Sequence, residues 1–319
     1  MSTENNNIDV IDESVENLIP SEDDSAEEKV YELPLGEELS LGEIYKISSS
    51  EVSKLIMFAG SVGCGKTTLL TSIYHQFLSS AENRYYFMGS KTLLAFEQRA
   101  HFTRIQSNQS SPVMQRTNNG VLDSYLHLKL YDTQTKYAKN IFISDFSGED
   151  FDKIKGSVDT AKEELAMVKQ MKLLCIILDG KKITSSQFRY REINNAKMLL
   201  KTLNDAELLH NSAKVIAIVS KYDLIKNKYG DNVDEIHKIL NEIKQNIVSE
   251  IPKREDEMVV YTVAALPELK NNVVPIGYGL ENIIDLLFED YTQQPKILAP
   301  SKISTTSQFN LFGRRNVYG

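Results

Sequence analysis

The chain has 319 residues but only two cysteines, Cys64 and Cys175, so a disulfide framework is excluded and a reducing compartment is expected. Its net charge of −8 gathers at one end, where residues 1–32 hold eleven acidic side chains and one Lys. The remainder is near neutral, which gives no signal for nucleic acid or acidic membranes. No apolar run reaches the ~18 residues of a spanning helix, and the acidic start is unlike a secretory signal, so the expected setting is cytoplasmic.

Residues 1–40 read as an acidic disordered tail, because so polar a segment buries too little apolar surface to offset its ordering entropy. A single domain is expected over 53–293 and a second polar tail over 294–319, with Pro295, Pro300 and the run Phe309-Asn310-Leu311-Phe312. Within the domain, the continuous apolar run 55–59 predicts a buried strand. Residues 66–79 follow as a helix, with Leu69, Leu70, Ile73 and Phe77 at helical spacing. A strand is expected at 85–88, a helix at 92–105, and an alternating strand, edge or antiparallel, at 121–131. Buried strands at 141–144, 173–178, 215–219 and 258–263 are separated by helices at 160–171, 186–203 and 233–251, the last stopped by Pro252, and a helix at 280–288 closes the domain. This rhythm predicts an α/β fold, one doubly wound domain with a mostly parallel sheet and helices on both faces.

Between the first strand and the first helix lies Gly60-Ser61-Val62-Gly63-Cys64-Gly65-Lys66-Thr67, which fits the phosphate-binding pattern Gly-x4-Gly-Lys-Thr in its strand-loop-helix setting. Gly60, Gly63 and Gly65 let the backbone turn with its N–H groups aimed at phosphate oxygens. Lys66 supplies a point charge to the β and γ phosphates, and Thr67 a hydroxyl to Mg²⁺, with Thr68 continuing the binding set. Cys64 is read as a small residue contributing its backbone.

A phosphate loop needs a carboxylate at the end of a neighbouring strand to hold the metal. Asp145 opens Asp145-Phe146-Ser147-Gly148 after the apolar 141–144 and is the preferred metal residue; Asp179, after 173–178, is the rival. The Gly148 N–H is expected to meet the γ-phosphate and to move when that group leaves. Thr117, in the loop before the strand at 121–131, is the candidate switch hydroxyl on the metal, ahead of Thr103, and Arg116 beside it is a candidate arginine finger. After 215–219 comes Ser220-Lys221-Tyr222-Asp223, where GTPases carry Asn/Thr-Lys-x-Asp. The Asp223 carboxylate would accept from guanine N1–H and the exocyclic amine, a pair adenine does not offer. Lys221 would lie along the base, and Ser220, lacking the usual Asn amide, predicts weaker affinity. Ala264 is expected to point its N–H at guanine O6.

With these motifs in order, residues 53–291 resemble the TRAFAC-clade GTPases and, more narrowly, the bacterial double-GTPase group. The residues that carry the resemblance are 58–70, 88–97, 144–149, 178–180 and 219–223, of which 89–97, Gly-Ser-Lys-Thr-Leu-Leu-Ala-Phe-Glu, is the group-specific stretch. The resemblance implies a Ras-like P-loop NTPase fold, GTP/GDP and Mg²⁺, switch behaviour, and work with effector proteins, here unidentified, in bacterial defence or conflict systems. Many relatives carry a water-orienting Gln after the Gly; here Glu149 stands there, and a carboxylate near the γ-phosphate is awkward unless a cation compensates. Lys66, Gly148 and Glu149 are thus the expected catalytic group, with slow intrinsic turnover. The alternatives are a scaffold that binds nucleotide without turnover and a P-loop ATPase in which Asp223 is incidental.

Overall fold

The computed structural model describes residues 36–79, 84–101, 124–145, 147–268 and 274–289. Seven strands form one sheet in the order β2-β3-β4-β1-β5-β6-β7. They are β1 (Ser53–Gly60), β2 (Tyr85–Gly89), β3 (Tyr125–Asp132), β4 (Tyr137–Asp145), β5 (Leu173–Asp179), β6 (Lys214–Ser220) and β7 (Val260–Thr262). β1 pairs parallel with β4 and β5, and β5-β6-β7 continue parallel, whereas β2-β3 and β3-β4 are antiparallel. The fold is the expected α/β class, a mostly parallel sheet with helices on both faces. β3 is antiparallel as read, yet interior; the edge is β2.

Why 55–59, 173–178 and 215–219 are continuous apolar runs is visible in the packing. Their alternate residues face two cores. Met57, Ala59, Leu174, Ile176, Val215 and Ala217 meet α4 (Gly148–Ile154), α5 (Val158–Glu164), α7 (Ser186–Asp205), α8 (Tyr222–Tyr229) and α9 (Val233–Val248). Ile56, Phe58, Cys175, Ile177, Ile216 and Ile218 meet α2 (Lys66–Ser79), α3 (Leu93–Ala100) and α10 (Leu280–Phe288). A strand covered on both sides has no polar face to alternate with.

Several elements differ from the expectation. The helix expected over 160–171 breaks at Leu165, whose φ of −115° and ψ of 25° end α5, and a 3-10 turn, Ala166–Gln170, follows. The helix expected at 92–105 is described over Leu93–Ala100. Four short helices had no counterpart in the reading: α1 (Leu41–Ser48), α4, α6 (Gly180–Ile183) and α8. α1 opens on a capping box, in which the Ser40 N–H donates to Glu43 at 2.8 Å. Its Ile44 and Ile47 pack with Leu39, Tyr125 and Phe142, and Leu39 bridges Tyr125 antiparallel. Residues 36–40, at the end of the expected tail, are therefore part of the packed structure; 1–35 and 290–319 lie outside the described residues.

Beyond the pairing of Gly89 with Lys129, the stretch 89–97 is fastened to β3 at His127. The His127 N–H donates to Thr92 Oγ1 at 2.9 Å, Ser90 Oγ donates to the His127 carbonyl at 2.5 Å, and the Lys91 N–H donates to His127 Nδ1 at 2.9 Å. An accepting Nδ1 puts the proton of the neutral ring on Nε2, 3.0 Å from Asn140 Oδ1. Burial pushes the His127 pKa below the ordinary imidazole value, against the opposing effect of its hydrogen bond to Asn140. At the far end of the domain, buried Lys54 donates to the Leu286 carbonyl at 2.7 Å and buried Lys139 to the Phe288 carbonyl. Both ammonium groups thus serve the negative C-terminal end of α10.

Candidate functional site

The parallel pairing brings the C-terminal ends of β1, β4, β5 and β6 to one edge, with Phe58 opposite Asp145, Gly60 opposite Ile177, and Asp179 opposite Ser220. β1 is where the chain's crossovers change sides, the place where open α/β sheets bind ligands. Between Gly60 and Lys66, the first residue of α2, the backbone turns through positive φ at Gly63 (75°) and Gly65 (94°). A Cβ on Gly60 would stand 2.4 Å from the Ile177 carbonyl oxygen, so this position has room only for Gly. Lys66 is buried, and its Nζ donates to the Gly60 carbonyl at 2.7 Å. Among the described residues no carboxylate pairs with it, so a buried cation lies at a helix N-terminus with its charge available to an anion. That arrangement fits a nucleotide's phosphates. Cys64 is fully buried and burial pushes its thiol up, which favours the unreactive protonated form.

Across the loop, β6 supplies the second half of the site. Ser220 Oγ donates to the Cys64 carbonyl at 2.5 Å. The Ser220 hydroxyl thus makes a tie to the phosphate loop where an Asn amide is absent. Lys221 adopts a left-handed φ of 50°, and its Nζ donates to the Gly63 carbonyl at 2.7 Å and to Asp179 Oδ2 at 2.9 Å. Asp179, whose Oδ1 also accepts the Lys181 N–H at 2.9 Å, thereby serves the Lys221 side of the site. Its caps begin the short α6 (Gly180–Ile183), and a Cβ on Gly180 would sit 2.1 Å from the Ser220 carbonyl oxygen.

Asp223, 5 % exposed near the start of α8, faces a cavity of about 300 Å³ shared with Gly65, Thr68, Lys221, Ala265 and Glu268. The Glu268 N–H donates to Asp223 Oδ2 at 3.2 Å and so orients the carboxylate. The N–H of Ala264 is already committed to the Tyr278 carbonyl at 3.0 Å, and it is Ala265 that lines the cavity, one residue later than expected. Sequence spacing did not reveal this because β7 is only three residues long and the turn after it sets which residue faces inward. Glu268 was not singled out either; nothing in its local pattern marks it.

On the other side of the phosphate loop, Asp145 ends β4 beside β1. Its side chain, Phe146, and the loop residues Thr103, Arg116 and Thr117 lie outside the described residues. Ser147 caps α4, its Oγ accepting the Asp150 N–H at 3.0 Å. Gly148 lies hard against the phosphate loop: a Cβ there would be 2.6 Å from both N and Cα of Val62. Glu149, half-buried, is in the first turn of α4. The structure therefore sets Gly148 against Val62 on one side of the loop, and Ser220 and Lys221 against Cys64 and Gly63 on the other, with Asp223 in the adjoining cavity.

A family model described as Double-GTPase 2 matches residues 54–287. No curated protein matches the chain. Among solved structures, the signal recognition particle receptor SRb-GTP/SRX complex from Chaetomium thermophilum is similar at 14 % identity and a TM-score of 0.37, over 72 % of this chain and 95 % of that one.

Proposed function

Because the chain belongs to the Double-GTPase 2 family and is a GTP-binding protein, we propose that it is a magnesium-dependent GTP switch with slow intrinsic hydrolysis raised by a partner. The observation that carries the guanine reading is the buried Asp223 carboxylate, oriented by the Glu268 N–H in a cavity that also exposes Gly65 and Thr68 of the phosphate loop. A purine in that cavity lies between the loop and α8, with the Lys221 stem along it and the Ala265 N–H on the carbonyl edge. The phosphates then run along the N–H groups of residues 61–67 to the Lys66 ammonium. Thr67 and Asp145 would hold Mg²⁺, which supplies charge neutralisation between the β and γ oxygens.

At the γ end, Gly148 is close enough to Val62 for its N–H to sense the terminal phosphate, and α4 begins there, so loss of that phosphate would release α4. Glu149 supports slow turnover, because a carboxylate in the water-positioning place repels the γ-phosphate. The same residue favours a second reading, a scaffold that holds nucleotide without turnover. Single-turnover hydrolysis separates them: the switch reading expects phosphate release below about 10⁻² s⁻¹, abolished by Lys66→Ala and raised by Glu149→Gln. No release from either the parent or Glu149→Gln supports the scaffold. The resemblance to the double-GTPase group supports a cytoplasmic place in a bacterial multi-protein defence or conflict system. Among the described residues no helix is long and apolar enough to cross a membrane.

A further inference from the structure

A buried acid lies directly under the phosphate loop. Glu192, on α7 and only 3 % exposed, has both carboxylate oxygens 3.0 Å from the hydroxyl of Ser61, the second residue of that loop. Lys182 on α6 completes a triad, its Nζ 2.8 Å from Glu192 Oε1 and 3.1 Å from Ser61 Oγ. The Asp179 N–H reaches Glu192 Oε2 at 3.4 Å. α7 thus grips the first turn of the loop through one hydroxyl, and the cation that balances the acid stands on the loop's rim. The triad forms one wall of a cavity of about 280 Å³ that also includes Val62, Lys155 and Arg191, so Lys182 remains in reach of solvent while Glu192 does not.

A carboxylate one side chain away from an anion-binding loop opposes the ligand, and burying it is costly unless it is paired. An apolar residue would hold α7 against the loop without either penalty. We propose that Glu192 is a positioning residue for the phosphate loop that also restrains Lys182, so that the pair sets how tightly the loop holds a nucleoside triphosphate. This rests on the reading of residues 60–67 as the phosphate site. The Glu192 charge lowers the affinity that Lys182 would otherwise add, and its hydrogen bond to Ser61 fixes the loop's shape.

The test uses the full chain and the dissociation rates of fluorescent GTP and GDP with Mg²⁺, in parent, Ser61→Ala, Glu192→Gln, Lys182→Met and the Glu192→Gln/Lys182→Met pair. Failure of the parent to bind either nucleotide would sink the site reading. The proposal has its own signature. Glu192→Gln, which keeps an acceptor for Ser61 but drops the charge, slows GTP release about fivefold and GDP release less. Lys182→Met, which leaves the acid unbalanced, speeds both about fivefold, and the double variant returns to within about twofold of the parent. A purely structural Glu192 gives losses that add in the double variant, and that result overturns the proposal, as does a Glu192→Gln protein that releases GTP no more slowly. If Glu192→Gln does not fold, Ser61→Ala decides: it speeds release of both nucleotides with the GTP-to-GDP ratio unchanged, and no change refutes the positioning role. Without nucleotide, Ser61→Ala also speeds amide exchange at residues 61–65 about tenfold; unchanged exchange overturns the proposal independently of the site reading.

Discussion

The Ser220 hydroxyl donates to the Cys64 carbonyl at 2.5 Å, so a single hydrogen bond joins the end of β6 to the middle of the phosphate loop. Both residues are buried. The segment that follows β6 and the loop 60–67 are therefore tied together, and Lys221, reaching the Gly63 carbonyl at 2.7 Å, is the second fastening.

Ser220→Ala removes the first fastening and leaves the Cys64 carbonyl without that donor. A lost buried hydrogen bond is worth about 1 kcal/mol, so guanine nucleotide affinity is expected to fall roughly fivefold. GTP-over-ATP preference should stay intact, because Asp223 is untouched. Titration with labelled GDP and unlabelled competitors reads both quantities.

Gly148→Ala places a methyl 2.6 Å from the backbone of Val62, where nothing flexible can yield. α4 then no longer seats on the loop. Hydrolysis is expected to fall by more than about tenfold, since an ångström-scale displacement near the chemistry can cost ~100-fold. GDP affinity should change little, because the base cavity lies on the other side of the loop. Single-turnover rates and GDP binding on the same preparation check the split.

His127 sets an acid limit on stability. Its pKa is held down chiefly by burial, and its neutral ring is the form that accepts the Lys91 N–H. As the pH falls below the ordinary value of 6.5 the unfolded chain takes up a proton that the folded one resists, so this contribution is present above 6.5 and is lost as pH falls toward the depressed folded pKa. Melting temperature should drop between pH 7 and pH 5 more steeply in the parent than in His127→Gln. Parallel curves for the two proteins would contradict this.

Cys64 and Cys175 are both fully buried, and burial pushes both thiols up. Neither should react with iodoacetamide in the native protein, and both should react in denaturant. Labelling of Cys64 in the folded state would show that the phosphate loop opens.

What could be read from the sequence follows the physics of each feature. The runs at 55–59, 173–178 and 215–219 were legible as strands because both their faces are buried. α1 carried a readable signal, Ser40 followed by Glu43, but it lies between the acidic tail expected over 1–40 and the domain expected from residue 53. α8 was hidden because its first residues, Tyr222 and Asp223, have the chemistry of a binding loop. The role of Asp179 depends on its register with Ser220, which local pattern does not encode. Glu192 reads as one more solvated acid on a 20-residue helix, and only the close approach of α7 to Ser61 shows otherwise.

The proposed guanine specificity rests on Asp223. Equilibrium competition of GTP and ATP against labelled GDP, with Mg²⁺, on the parent and on Asp223→Ala tests it most directly. GTP should compete at least about 10³-fold better than ATP, and Asp223→Ala should remove most of that preference, because a site built to accept two hydrogen bonds rejects a base lacking the donors. ATP competing as well as GTP, with Asp223→Ala altering neither, would contradict it.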